Sequence, residues 1–440
     1  MPTAMEIYKL LPKTNCGECK FPTCLAFAMQ LANLKVALEA CPHVSPEAKA
    51  ALEESGAPPI RLVTFGVGDL AANIGDETQL FRHDRTFYHP TVLGLVADDA
   101  KGIDDMRSRI EEANGAAYER VGQVLRVDAV AVRHSSGSPE DFVEGVRAAA
   151  SKPLPVIMMC EDPVLMGKAV EACGDKRPLL HRGTPSNLDA MLELSKKASL
   201  PLVIGGAADL DALSQLSERA KKAGVDDVVL EPVTTSAGGL LEAMTFIRRA
   251  AVRKKFRSLG YPTLSVLDAS DEGRFRATLG VMKYSSIVLM EELPKEFLYP
   301  LLALRQNVFT DPQVPIQVKA GLYSVGEPGP ESPLMFTTNF SLTYFTVRAD
   351  IEKSKVPAWL LVVDTEGQSV MTAFAAGKLT PESVAKALDD EKVREKSTRN
   401  EIAIPGMVSR MSGKLNELTG MKVVVGPRES SGLPKLMKTL

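Results

Sequence analysis

Four of the six cysteines in this 440-residue chain, Cys16, Cys19, Cys24 and Cys41, follow the spacing C-x2-C-x4-C-x16-C. Four soft thiolates are the ligand set of a [4Fe–4S] cluster, which moves single electrons. Zinc is the rival occupant. Structural zinc sites usually pair their ligands in two knuckles, and only Cys16-Gly17-Glu18-Cys19 is such a pair here. A disulfide framework is the weaker alternative, because the opening residues are polar and show no continuous apolar stretch of a secretory signal. Cys160 and Cys173 lie in apolar surroundings without a partner cysteine nearby and read as core thiols.

The spacing constrains the elements that carry these ligands. Were 24–41 one helix, its ends would stand about 26 Å apart, too far for a single cluster. The segment must fold back, with Asn33 the expected turning point, one helix after Pro22 and a second leading into Cys41-Pro42. Gly17 lets the backbone approach the cluster, and Pro22 and Pro42 stiffen the ligand loops.

With 45% apolar and 24% charged residues the composition is that of a soluble globular protein, and the length exceeds one ordinary core. Two or three domains are expected. A net charge of −3 argues against a general nucleic-acid partner. No apolar run approaches the roughly 20 residues needed to span a membrane, so a cytoplasmic location is the default.

From 91 to 308 short β-branched runs alternate with amphipathic stretches. Eight runs are expected as strands: 91–98, 129–135, 155–161, 178–182, 201–205, 227–231, 262–268 and 285–291. Between them 139–150, 186–198, 208–223 and 239–258 have helical spacing. Eight such units read as an α/β TIM (β/α)8 barrel, whose strands are buried on both faces and therefore continuously apolar. The strand ends carry Asp98, Asp99, His134, Glu161, Asp162, His181, Arg182, Glu231 and Asp268, where barrel chemistry usually sits. The alternative reading is that they cap helices, bind water or form a subunit interface. Residues 59–89 contain alternating stretches at 61–65 and 86–89, expected as a hairpin plugging the barrel floor.

Residues 310–333 are rich in Pro and Gly and break both helix and strand. Beyond them come a strand at 358–364, a helix near 369–376, and Thr380-Pro381, an N-cap followed by proline at the first helical position. A strand at 401–404, a helix at 408–418 and a strand at 422–425 complete a small doubly wound, Rossmann-like sheet. Ligands on such sheets gather beyond the carboxyl ends of the strands, where the loops 367–371, 405–406 and 426–432 meet. Steric demands of tight turns account equally well for their glycines and prolines.

The run Asn15-Cys16-Gly17-Glu18-Cys19, with Phe21-Pro22-Thr23-Cys24-Leu25-Ala26-Phe27-Ala28, resembles the cluster-binding opening of the corrinoid/iron–sulfur protein large (gamma) subunit family of the acetyl-CoA (Wood–Ljungdahl) pathway. Trp359 to Gly367, Ala375-Ala376-Gly377-Lys378 and Val425-Gly426-Pro427-Arg428-Glu429 resemble it too, so the likeness spans essentially the whole chain. It implies a helical [4Fe–4S] domain over 1–57, a barrel over 58–310, a linker over 311–333 and a corrinoid-binding α/β domain over 334–440. It also implies a methyl carrier. Cobalt takes a methyl group from methyltetrahydrofolate on a separate methyltransferase and gives it to acetyl-CoA synthase/CO dehydrogenase. The cluster, fed by a low-potential electron donor, returns inactive Co(II) to Co(I), and a small corrinoid/iron–sulfur subunit completes a heterodimer.

By the same resemblance Asn339, Leu342 and Thr343 contact the corrin. Gly367, Val370, Met371, Thr372, Ala375, Ala376, Gly377, Lys378, Pro405, Gly406, Gly426, Pro427 and Arg428 surround its lower face, side arms and nucleotide tail. Thr372 falls under the lower face by motif position. All five histidines, His43, His83, His89, His134 and His181, precede residue 182, so no imidazole from the last third ligates cobalt and a base-off corrinoid is expected. Two other readings stand beside this one. A pterin-dependent methyltransferase would use Asp98, Asp162 and Asp268 at the barrel's strand ends, and an electron-transfer scaffold would bind no organic cofactor. A carrier serving several partners also implies hinges at 57–59 and before Pro333.

Overall fold

The computed structural model describes residues 4–32, 35–46, 48–49, 52 and 58–440. Asn33, the expected turning point, and Ala57, where the first hinge was to begin, lie outside the described residues. Near the start, helix α1 (Ala4–Leu10) precedes α2 (Cys24–Ala32), which begins on one of the four expected ligand cysteines. The Asn15 side-chain oxygen accepts from Cys24 N at 2.8 Å, and the Thr23 hydroxyl accepts from Ala26 N at 3.1 Å, so the first turn is capped. The approach to Cys41 is a single 3-10 turn, Leu38–Ala40, which is shorter than the expected second helix. Ala37 before it is extended, and Cys41 N closes the turn on Leu38 O.

The central strands are β3 (Val92–Asp98), β6 (Ala129–Arg133), β7 (Val156–Met159), β8 (Leu179–Gly183), β9 (Leu202–Ile204), β10 (Val228–Leu230), β11 (Leu264–Leu267) and β12 (Ile287–Met290). All pair in parallel, in the order β10-β9-β8-β7-β6-β3-β12-β11, and a parallel bridge from Leu230 to Thr263 joins the two outer strands. The eight expected runs are therefore the eight strands of a barrel. Helices follow each strand in turn: α3 (Ile103–Gly115), α4 (Pro139–Ala150), α5 (Pro163–Cys173), α6 (Leu188–Ala198), α7 (Leu210–Ala223), α8 (Ala237–Val252), α9 (Asp271–Met282) and α10 (Lys295–Val308).

An antiparallel hairpin of β1 (Val63–Phe65) and β2 (Ala72–Ile74) precedes the barrel. Val63, Phe65, Ala72 and Ile74 share one core with Val92, Ala129, Leu179, Leu264 and Ile287, the first residues of their strands, so the hairpin fills the amino-terminal floor. Its second arm is 72–74, not 86–89. Tyr88 N and His89 N instead donate to the buried Glu77 carboxylate at 2.8 and 3.2 Å. That carboxylate also holds buried Arg248 at 2.9 Å.

The last sheet has the order β13-β15-β14-β16-β17, with β13 (Gly321–Val325), β14 (Leu334–Thr338), β15 (Ala358–Val363), β16 (Glu401–Ile404) and β17 (Lys422–Val425). β13 runs antiparallel beside β15, and the other pairs are parallel. Residues 311–333, expected as a linker, thus contribute an edge strand. Helices α11 (Ser341–Ser354), α12 (Val370–Ala375), α13 (Pro381–Asp390), α14 (Ser412–Thr419) and α15 (Leu433–Met437) belong with this sheet. Thr380 caps α13 in a reciprocal box with Ser383. The expected helix at 408–418 opens as the 3-10 turn Gly406–Met411 before α14. One core gathers Phe336, Leu361, Ile402 and Leu415, and another gathers Met335, Leu360, Tyr344 and Met437. Alternation along β14 and β15 divides their side chains between these two cores, as a doubly wound sheet requires.

The chain divides into two compact units. One comprises Met1–Leu80, Tyr88–Ala116 and Val127–Arg305; the other comprises Phe81–Phe87, Ala117–Arg126 and Gln306–Leu440. The second thus includes a small antiparallel hairpin, β4 (Ala117–Arg120) with β5 (Gln123–Arg126).

Candidate metal and cofactor sites

The four amino-terminal cysteines converge. Cys19, Cys24 and Cys41 pack in one small core with Ile7, Leu11 and Phe27, while Cys16 is exposed, and all four are free thiols. Lys13, Asn15, Gly17 and Lys20 take left-handed backbone conformations, which wind the short ligand loop tightly. Burial pushes the Cys41 thiol up, and negative charge on Cys19, Cys24 and Cys16 raises it further. Four such thiols ionise together only around a positive core, and an all-sulfur donor set fits iron–sulfur better than a mixed one. A second donor group sits at the rim. His43 Nε2 lies 2.9 Å from Glu18 Oε2, and donor atoms of Cys16, Glu18 and His43 all fall within 4.8 Å of one another.

The second site lies in the carboxyl-terminal unit, where β14 has β15 on one side and β16 on the other and the strand order reverses. The β14–β16 register rests on one pair, Met335 with Ala403, and beyond it the strand ends leave a crevice, as doubly wound sheets do at this point. It holds a cavity of about 510 Å³. The walls combine β14 side chains with the starts of α11 and α12 and the loops after β16 and β17. Leu342, Met371 and Met407 on its lining are 58%, 47% and 46% exposed, an apolar rim without protein cover. Thr337 Oγ1 in the wall is buried without a hydrogen-bond partner, as are Thr338 Oγ1, Ser341 Oγ and Gln368 Oε1 in the same unit. An apolar rim over an orphaned hydroxyl suits a large, mostly apolar ligand with a polar group to meet that hydroxyl. These residues therefore fit a corrinoid.

Of the expected corrin contacts, Leu342, Thr343, Val370, Met371, Pro405, Gly426, Pro427 and Arg428 line this cavity together. The others lie outside its lining. Gly406 and Gly426 let two loops touch: a Cβ on Gly406 would stand 2.4 Å from Gly426 O, and one on Gly426 2.8 Å from Ile404 O. Asn339 is 3% exposed and engaged within the protein. Its Oδ1 accepts from Thr365 N, Thr365 Oγ1 and Gly367 N, each at 3.0 Å, and its Nδ2 donates to Gln317 Oε1 and Asp364 Oδ1. Exposed Thr372 places Oγ1 3.0 Å from Ser369 Oγ, Lys378 pairs with Glu366, and Ala375, Ala376 and Gly377 are exposed around the end of α12.

Sequence reasoning missed Met335, Phe336, Thr337, Met407 and Leu433, all on the lining. Met335 and Phe336 read as core because apolar residues inside a strand usually are, and Met407 and Leu433 reach the lining only through the folding of their segments. The lining has no histidine, but the unit contains one through its Phe81–Phe87 segment. That residue, His83, stands 3.4 Å from Asp84 Oδ1 and stacks on Phe81.

At the barrel's carboxyl end the polar residues bind one another. Asp98 caps Ala100 N and pairs with Arg133, which also reaches Glu291 at 2.7 Å. Asp99 holds His134 Nδ1 at 2.6 Å. Arg182 bridges Glu161 and Glu231 at 2.9 and 2.7 Å, and His181 Nε2 stands 3.3 Å from Glu231 Oε2. Asp162 caps α5, and Asp268 accepts from Ser270 N. The three aspartates of the pterin reading are thus engaged within the protein, Asp98 and Asp162 as caps and Asp268 in a turn with Ser270. Cys160 and Cys173 are buried, and burial pushes the Cys173 thiol up to about 11.

Among the described residues no helix is long and apolar enough to cross a membrane. A model described as the CO dehydrogenase/acetyl-CoA synthase delta subunit matches residues 62–437, and an Fe-S cluster model matches 11–43. The corrinoid/iron-sulfur protein large subunit of Moorella thermoacetica is 42% identical over 98% of this chain and 97% of its own. The acetyl-CoA decarbonylase/synthase complex subunit gamma of Methanothermobacter thermautotrophicus is 37% identical over 100% of this chain and 99% of its own. Among solved structures, dihydropteroate synthase from Thermus thermophilus covers 56% of this chain and 97% of its own at 20% identity, with a TM-score of 0.37 too low to carry an argument. On the full-length matches and the cysteine segment together, the chain belongs to the family of corrinoid/iron–sulfur protein large subunits and acetyl-CoA decarbonylase/synthase gamma subunits.

Proposed function

We propose that this chain is the cluster- and corrinoid-bearing methyl carrier of a cytoplasmic multi-enzyme system. It would accept a methyl group from methyltetrahydrofolate on a separate methyltransferase and donate it to acetyl-CoA synthase, with a small subunit as its permanent partner. The carrying observation is the presence on one chain of a four-thiol nest and an apolar-rimmed cavity at the switch point of a doubly wound sheet. When bound, cobalt supplies the nucleophile for methyl transfer, and the cluster supplies the electron that restores it.

The chain's own residues do the rest. Cys16, Cys19, Cys24 and Cys41 would hold the cluster, with three thiols buried and Cys16 at the surface facing electron donors. Thr337 would satisfy a polar atom of the tail inside the cavity, and Leu342, Met371 and Met407 would shield the ring's apolar face from water. Gly367 to Lys378, including Thr372, would form the floor under the ring, and the Thr372 hydroxyl would offer the metal only a weak donor.

Metal analysis of the chain co-expressed anaerobically with its small subunit tests this reading. About four iron and about one cobalt per chain are expected, as the ligand set of one cubane and one corrinoid requires. Zinc in place of iron, with no cobalt, would overturn it.

A further inference from the structure

We propose that Gln317, in the segment that enters the last sheet, is a positioning residue that ties both lips of the cavity together and sets their spacing. The proposal rests on the corrinoid reading of that cavity. One lip is the start of α11, with Leu342 and Thr343; the other is the start of α12, with Ser369, Val370 and Met371.

The segment around Gln317 grips the first lip through its backbone. Val318 N donates to Asn339 O and Ser341 N to Ile316 O, both at 3.0 Å, and Gln317 forms an antiparallel bridge with Phe340. Ser341 is the first residue of α11, so these bonds fix where that helix begins.

The side chain reaches the second lip. Gln317 Oε1 accepts from Asn339 Nδ2 at 3.1 Å, and Asn339 Oδ1 in turn holds Thr365 N and Gly367 N. Gly367, at φ +71, has no Cβ, and one added there would fall 2.5 Å from Gln317 Cγ. Gln317 therefore lies against the loop that leads into Ser369 and α12. It is solvent-exposed, so nothing in a packed core demands a glutamine here. The position is explained by what it joins: a displacement of the entering chain is felt at both lips at once.

The test uses the full chain with its small subunit, as wild type, Q317L and Q317S. In cobalt-free protein, amide exchange at Thr365 and Gly367 should quicken roughly fivefold in both variants, the loss of one net hydrogen bond, with barrel-strand amides unchanged. In loaded protein, the same two variants should release corrinoid faster and shift its visible spectrum. Wild-type exchange and spectra in both variants would overturn the role of Gln317. Wild-type protein that holds no corrinoid would overturn the proposed function, and the exchange comparison would then decide alone whether Gln317 holds the lips.

Discussion

Cys41 is the most distant in sequence of the four proposed ligands, and the fold brings it into one small core with Cys19 and Cys24. Cys41→Ser should therefore abolish stable cluster binding, with iron per chain falling to near zero, whereas Cys173→Ala should leave it unchanged; iron assay of both proteins decides. Charge burial gives a second prediction. Arg248 is 5% exposed and held by Glu77, and its guanidinium lies 4.9 Å from the Tyr284 ring centre. Glu77→Gln leaves that charge without its counter-ion and should cost about 3 kcal/mol, read from the denaturant midpoint.

Acid sensitivity follows from Asp98 and Glu231. Burial by itself would raise both carboxyls, but Ser135, Ala100 N–H and Arg133 outweigh it at Asp98, as His181 and Arg182 do at Glu231, so both sit below their ordinary values of 3.8 and 4.5. Their stabilisation is complete above those values and is lost as pH falls through the lowered ones. Glu231→Gln should narrow the gap in barrel stability between neutral and strongly acidic solution, and equal gaps in mutant and wild type would contradict this. At this scale the sequence announced the chemistry unevenly. Cysteine spacing is covalent information and was legible, whereas Thr337 and Met407 join the cavity only through folding.

Among elements, strands buried on both faces appeared as short, mostly apolar runs, which is why all eight barrel strands could be read. Where burial was one-sided or the run short, the reading slipped. Ala72-Asn73-Ile74 is interrupted by an exposed asparagine, and the Gly and Pro residues around Leu322-Tyr323-Ser324-Val325 hid a strand inside an apparent linker. The floor hairpin carries its own prediction. Phe65 is fully buried among the strand origins, so Phe65→Ala should cost about 4 kcal/mol of barrel stability, measured by thermal or denaturant unfolding.

At the scale of the whole molecule, most of the expected second hinge is held in place. The expected second hinge ran up to Pro333, but 321–325 is sheet-bonded and 316–318 is tied to Asn339, Phe340 and Ser341. Residues 312–315 are exposed and lie outside helix and strand. Limited proteolysis should therefore nick first within 311–315, and a first cut within 321–325 would contradict the pairing.

β13 meets β15 through five residue pairs, from Gly321 with Val362 to Val325 with Ala358. It works as a hem: without it, the amides and carbonyls along one margin of the parallel sheet would be open to any passing strand. A recombinant fragment starting at Leu334 would leave that margin raw and should self-associate, while one starting at Asp311 should stay monodisperse in light scattering. The stretch whose composition looked like mere slack thus covers one margin of the sheet.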